Sequence, residues 1–191
     1  MADGPLHGFK RGQPIYRDVD FAFASSFEGR RYTATHQTPT TDVTGQTSLV
    51  ATTPTFLFSQ TGADTAWGLN SMQLSQSGTV AGGDIFISLA IDTANRRSGS
   101  TGTAVTPQVM YSGESTAANV TFTYNPTATA AGGGTRYLGT WAANADTGVI
   151  TTLDFRDAVI IGTTGSILVY TWAGTTAPSW KFVFEFTEFL T

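Results

Sequence analysis

The stretch that decides the fold is Trp180-Lys181-Phe182-Val183-Phe184-Glu185-Phe186-Thr187. Its aromatic residues occupy alternate positions, with Lys181, Val183, Glu185 and Thr187 between them. Successive side chains of a β-strand point to opposite faces, so this period makes one face aromatic and the other mostly polar. A slip of one residue would move all the aromatic rings into water, so the strand's register should be tightly held.

The same alternation appears upstream. Ile85, Ile87, Leu89 and Ile91 alternate with Phe86, Ser88, Ala90 and Asp92, and Val120, Phe122 and Tyr124 alternate with Thr121 and Thr123. Weaker strand patterns cover 19–27, 31–36, 48–58, 67–75, 107–112, 136–142, 148–155, 159–161 and 166–172. Between them lie Gly-, Ser-, Thr-, Asn- and Pro-rich pieces of the kind turns require, such as Gln76-Ser77-Gly78 and Gly82-Gly83-Asp84. Two stretches, 94–106 and 125–135, lack an apolar period and read as long exposed loops. The best local case for a helix is 154–161, DFRDAVII, where Asp154 would cap a single turn; its β-branched ending argues against more. Many short strands joined by turns predict an all-β protein: an antiparallel β-sandwich of the jelly-roll kind spanning 15–191, preceded by an extended arm over 1–14.

Composition supports this reading. Charged residues make up 13% of the chain, against roughly 25% in an average soluble domain. Threonine, with 34 copies, is β-branched and carries a hydroxyl, so it suits a pleated, solvent-facing surface and supplies polarity that charges usually provide. The absence of cysteine excludes disulfides, thiolate nucleophiles and Cys-ligated zinc. A net charge of −4 with only two Lys is a poor match to nucleic acid or to an anionic membrane surface. The polar, Gly- and Pro-containing start has no apolar run resembling a secretion signal, and Asn119-Val120-Thr121 is a chance glycosylation sequon in a Thr-rich chain.

Catalytic constellations are hard to assemble from these residues. The two histidines, His7 and His36, stand apart and read as solvated imidazoles. No G-x-S-x-G elbow occurs, and Gly132-Gly133-Gly134 is not followed by the Lys-Ser/Thr of a phosphate loop. Glu185 and Glu188 are an odd number apart, which sends them to opposite faces of an unbroken strand. Asp154 and Asp157 would meet only on a helical turn, where they read as turn-capping carboxylates rather than a Ca²⁺ site. Trp67, Trp141, Trp172 and Trp180 all fall in strand patterns and are expected to pack in a core or subunit interface. No enzyme activity, cofactor or metal is expected. One asymmetry stands out: Lys10, Arg11, Arg17, Arg30 and Arg31 are half of the ten basic residues and lie in the first 31 positions. A basic arm on an acidic body can latch onto an acidic partner, which makes Lys10, Arg11 and Arg17 the candidate partner contacts.

The closing segment carries a resemblance. Asp157-Ala-Val-Ile-Ile161 is followed by Gly162-Thr-Thr-Gly165, then Ser166-Ile-Leu-Val-Tyr-Thr-Trp172, and finally the aromatic strand ending at Glu188. This succession resembles the closing strands of trimeric jelly-roll decoration (cement) proteins of tailed bacteriophages, although Gly-Thr-Thr-Gly stands where a Pro-Gly turn is common. The resemblance implies a homotrimer on the outer capsid surface of a virion, bound to the major capsid protein and bridging capsid subunits by avidity, without catalytic residues. Two rival readings are a receptor- or glycan-binding head of a tail fibre or adhesin, which predicts surface Trp or Tyr platforms near the long loops, and a β-sandwich glycan lyase or hydrolase, which requires a cleft with convergent acids.

Overall fold

The computed structural model describes residues 6–10, 13–17, 25–26, 28–60, 64–78, 84–110, 120–129, 134–143 and 145–190, with the first two segments and positions 157 and 190 described by backbone alone. β1 (Leu6–Lys10) and β2 (Gln13–Arg17) pair with each other as a separate antiparallel sheet, register Leu6↔Arg17 to Lys10↔Gln13. The described parts of the segment expected as an arm, 6–10 and 13–14, are thus strands of a hairpin, and 1–5 and 11–12 lie outside the described residues.

The remaining strands form two antiparallel sheets that pack face to face as a β-sandwich. Sheet I runs β11 (Arg136–Ala143), β7 (Ile85–Asp92), β13 (Ser166–Ala173), β5 (Phe56–Gln60), β10 (Val120–Tyr124) and β8 (Thr103–Val105). Sheet II runs β12 (Ile150–Ile161), β6 (Thr65–Ser77), β14 (Ser179–Leu190), β3 (Arg31–Thr35) and β9 (Gln108–Val109), with β4 (Val43–Thr44) also on β14. From β5 to β7, and again from β11 to β14, consecutive strands alternate between the sheets.

The decisive stretch lies at the centre of sheet II, and the face read as aromatic is the buried one. Phe182, Phe184 and Phe186 are each at most 3% exposed. They meet Phe56, Phe58 and Phe122 from sheet I, with ring centroids 5.1 Å apart for Phe56–Phe184, 4.6 Å for Phe58–Phe186 and 5.0 Å for Phe122–Phe184. Such tilted pairs add about 0.5–1.5 kcal/mol each beyond their area burial.

The register shifts at one place, and both neighbours of β6 record it. β14 pairs Glu185 with Ser71 and then Phe186 with Leu69; β12 pairs Asp154 with Ser71 and then Val159 with Leu69. Asn70 is thus an extra residue in the middle of a central strand. It is buried and exchanges side-chain hydrogen bonds with Thr187, at 3.0 and 3.2 Å.

One expectation fails and another is modified, for physical reasons. DFRDAVII is not a helical turn: it belongs to the single long strand β12. Asp154 does organise its neighbourhood, because its Oδ1 accepts the Arg156 N–H at 3.1 Å while Arg156 takes φ 47°. That local bond makes a bulge instead of a helix start. The stretches 94–106 and 125–129 are largely exposed, as expected, but 103–105 forms β8 and the two stretches are bonded to each other and to Thr52. Ser98 N–H donates to Thr127 O at 3.0 Å, Thr129 N–H to Arg96 O at 2.8 Å, and Ala128 N–H to Thr52 O at 2.8 Å. Together with the Ala51 region, whose carbonyl accepts the Tyr170 hydroxyl at 3.0 Å, they accompany a second apolar cluster of Leu57, Ala90, Ala128, Leu168 and Tyr170 on the outer side of sheet I. Gly102 permits this layer: at φ 78° its Cα lies so close to Tyr124 O and Pro126 that a Cβ would sit 2.8 Å from each. The candidate strand at 48–58 keeps only its end, as β5; within 107–110 the strand is β9, with 111–112 outside the described residues; and 19–27 lies largely outside them too.

Candidate functional site

The residues named from sequence as partner contacts are distributed as follows. Lys10 and Arg17 lie in the hairpin, described by backbone alone, and Arg11 lies outside the described residues. Of the other two N-terminal cations, Arg31 donates from Nη2 to Glu185 Oε2 at 2.8 Å across the β3–β14 pair, and Arg30 lies 3.5 Å from Glu28. Arg31 is thus engaged within its own sheet.

The described acids do not converge. Among the described residues, no group of three or more His, Cys, Asp and Glu gathers as a metal site. Glu185 lies on the outer side of β14, while Glu188 is buried, as the odd spacing requires. Burial pushes the Glu188 carboxyl above its ordinary value; Arg30 and the Tyr32 hydroxyl act in the opposite direction without overcoming it. Tyr32, itself buried, is raised to about 12, first by burial and then by the Glu188 charge. His36 is held at both ring nitrogens. Nδ1 accepts the Thr38 N–H at 2.9 Å, which leaves Nε2 to donate to the Tyr124 hydroxyl at 3.0 Å.

The most organised polar cluster was missed in the sequence. Asp92 ends β7, and its side chain is fully buried. Arg96 Nε lies 2.8 Å from it as an ion-pair partner, and it accepts the Ala94 N–H at 2.9 Å and the Thr135 hydroxyl. Despite burial, which acts to raise it, these donors hold the carboxyl below its ordinary value. Ser166 extends the cluster, accepting the Arg96 N–H at 2.8 Å and donating to Ala94 O at 2.9 Å. A small open cavity of about 120 Å³, bordered by Ile91, Arg136 and Ile160, adjoins it. These bonds tie residues 94–96, Thr135 and Ser166 to the end of β7. The one available signal was an acid closing an alternating strand, four residues before an arginine.

A second buried knot ties the sandwich at its other end. The Thr171 hydroxyl accepts Trp180 Nε1 at 2.8 Å and contacts the Thr55 hydroxyl at 2.9 Å, and Thr55 Oγ1 accepts the Thr171 N–H at 3.0 Å. Gly45 closes over it so tightly that a Cβ there would lie 2.4 Å from Thr171 Oγ1.

The surface has two notable regions. One is the side of the sandwich where β11 and β12 are the last strands of their sheets. Five large apolar side chains are exposed on or beside these strands: Tyr137, Leu138, Val149, Ile150 and Ile160. Both edges are interrupted, β11 by Leu138, which has no partner in the β7 register, and β12 by 155–158. Between them the Trp141 and Phe155 rings meet edge-on at 6.2 Å. The other region is a groove of about 360 Å³ on the outer face of sheet II, lined by Thr35, Pro39, Gln73, Ile150, Lys181 and Val183 among others. Lys181 Nζ is held there by Asp42 at 2.5 Å, and that ammonium keeps the Asp42 carboxyl below its ordinary value.

Of the tryptophans, Trp67 and Trp180 are fully buried core residues. Trp141 is partly buried against the core, and Trp172 stacks on Phe86 at 5.4 Å with the second cluster.

No family model, curated protein or solved structure matches this chain.

Proposed function

We propose that this chain is a virion structural protein: a homo-oligomeric, trimeric jelly-roll decoration protein that binds the outer capsid surface and stabilises the head by bridging capsid subunits. The observation that carries the reading is the course of its closing segment. The strand–turn–strand succession that prompted the resemblance is threaded alternately through both sheets, β12 in sheet II, β13 in sheet I and β14 in sheet II, with the last two at central positions. A Gly165 N–H to Gly162 O hydrogen bond of 3.1 Å closes the turn between β12 and β13. This alternation supports a jelly-roll connectivity. The exposed apolar side at β11 and β12 supports self-association. Weak docking of each protomer, multiplied across an oligomer, would supply the attachment energy.

The test is attachment to particles. Purified protein added to undecorated heads should bind at a copy number in the hundreds and raise their resistance to internal pressure. Deleting 1–14 should weaken attachment while leaving the β-rich circular dichroism spectrum unchanged. A copy number of a few per particle would place the protein on the tail and overturn the capsid assignment.

A second reading, a receptor- or glycan-binding head, is favoured by one observation. Tyr137 is 48% exposed and lies 6.1 Å from Tyr170, beside the loop layer on sheet I. Glycan-array binding lost on Tyr137→Ala would support it.

A further inference from the structure

The aromatic row of β14 ends in an acid. Phe182, Phe184, Phe186 and Glu188 share the inward face of the strand, and Glu188 is 9% exposed. Its register partner in β6 is Trp67, and Tyr32 of β3 stands one inward position back, opposite Phe186. Both rings are fully buried, with centroids 5.2 Å apart.

A carboxylate is unfavourable in such a place, because burial penalises the charged form. The titratable and charged groups that act on Glu188 both come from the β3 side: Arg30 and the Tyr32 hydroxyl. The Arg30 guanidinium also has its own acid, with Nε 3.5 Å from Glu28. β6 presents Trp67, which does not titrate, and sheet I presents Phe58, which meets both Trp67 and Phe186. Glu185, on the other face of the same strand, is bonded to Arg31.

The position of Glu188 in the strand decides how the molecule can respond to its charge. Thr187↔Arg31 is the last register pair between β14 and β3, and the Glu188 N–H donates to Arg30 O at 2.8 Å just beyond it. On the β6 side only Phe189↔Ala66 and Leu190↔Thr65 follow. Opening 188–190 therefore brings the carboxyl to water by breaking a few ladder bonds at the end of β14, while Phe182, Phe184 and Phe186 stay seated. Tyr32 Oη and Trp67 Nε1 are buried without a hydrogen-bond partner among the described residues. Water admitted by the same opening satisfies these donors together with the charge.

We propose that Glu188 is a proton-operated latch on the end of β14: with its carboxyl protonated, residues 188–190 lie closed against β6, and loss of the proton releases them while the rest of the sandwich stays folded. The carboxyl holds its proton more tightly in the closed form than in the open one, so acid closes the latch and rising pH opens it. The device is internal to the fold and independent of what the protein attaches to.

Native-state hydrogen exchange of the full chain, followed by NMR and corrected for intrinsic rates, tests this. Protection of the Glu188 amide should fall by about tenfold per pH unit between the ordinary carboxyl range and the folded value, and level off above it, as one released proton requires. The Phe184 amide, in the middle of β14, should stay more protected throughout and should not follow that profile. In Glu188→Gln, which keeps the shape without the charge, the slope at position 188 should vanish. A flat profile for the Glu188 amide in the parent chain would overturn the latch. So would a Glu188 amide that tracks Phe184 at every pH, because the opening would then be unfolding of the whole sandwich. An unchanged slope in Glu188→Gln would assign the proton to another group and overturn it equally.

Discussion

Asp92 and Arg96 form an ion pair at 2.8 Å in which the carboxylate is fully buried and the guanidinium is 17% exposed. Removing one partner of such a pair strands the other, at a cost of about 3–5 kcal/mol. Asp92→Ala is therefore expected to lower the unfolding free energy in urea by about that amount. An equal loss from Lys181→Ala, whose pair with Asp42 is more than a third exposed, would show that burial is not what makes the Asp92 pair matter.

Acid stability should have two limbs with different owners. Asp92 is held below its ordinary value, so its contribution is present above the unfolded carboxyl range and disappears as pH falls through the folded value. Glu188 is raised, so its contribution is greatest below the unfolded value and is lost as pH rises through the folded one. Stability should therefore peak in mildly acidic solution. Glu188→Gln should stabilise the protein at neutral pH, with the gain fading as pH is lowered. Thermal unfolding of both proteins across pH reads this directly, and a gain independent of pH would exclude the Glu188 charge as its cause.

The Thr171 hydroxyl serves two partners. Thr171→Val leaves Trp180 Nε1 buried without this acceptor, and a stranded buried donor costs about 1–3 kcal/mol. In Thr171→Val with Trp180→Phe the indole donor is gone too, so the double variant should lose less than the sum of the singles. A double-mutant cycle in urea gives the coupling, and strict additivity would show that the bond contributes nothing.

Gly45 and Gly174 offer a matched pair. Alanine at 45 would place its Cβ 2.4 Å from Thr171 Oγ1 and 2.6 Å from Thr171 O, whereas a Cβ at 174 meets nothing within 4 Å. Overpacking costs about 1–3 kcal/mol, and an unobstructed surface change stays within about 0.5 kcal/mol. Equal melting temperatures for Gly45→Ala and Gly174→Ala would contradict the close approach.

The parts of this fold legible in the sequence are those in which one side chain in two is buried. β14 shows its alternation openly, and its inward face is the one the aromatics mark. β5 and β13 are harder to read, because the loop layer buries their outer sides as well; Leu57 and Leu168 then sit opposite core positions and the alternation disappears. DFRDAVII misleads because an Asp followed two residues later by its hydrogen-bonded N–H looks the same at a helix start and at a bulge until the strand beside it is known. The Asn70 bulge left no local mark at all: it is defined by the partners of Ser71 and Leu69, which lie far away in the chain. The same holds for the Asp92 cluster, whose donors come from three separate segments, and for the groove on sheet II, which unites residues from β3, β6, β12 and β14.

The central place of β14 also bears on how the protein is made. β6 joins β3 in sheet II only through residues 179–190, so everything synthesised earlier waits with its aromatic partners absent. Until those residues follow, Phe56, Phe58 and Phe122 lack the Phe182, Phe184 and Phe186 rings that pack on them from sheet II. Closure of the sandwich therefore waits for β14. Nascent chains stalled before Ser179 should be the species that chaperones hold and that aggregates recruit.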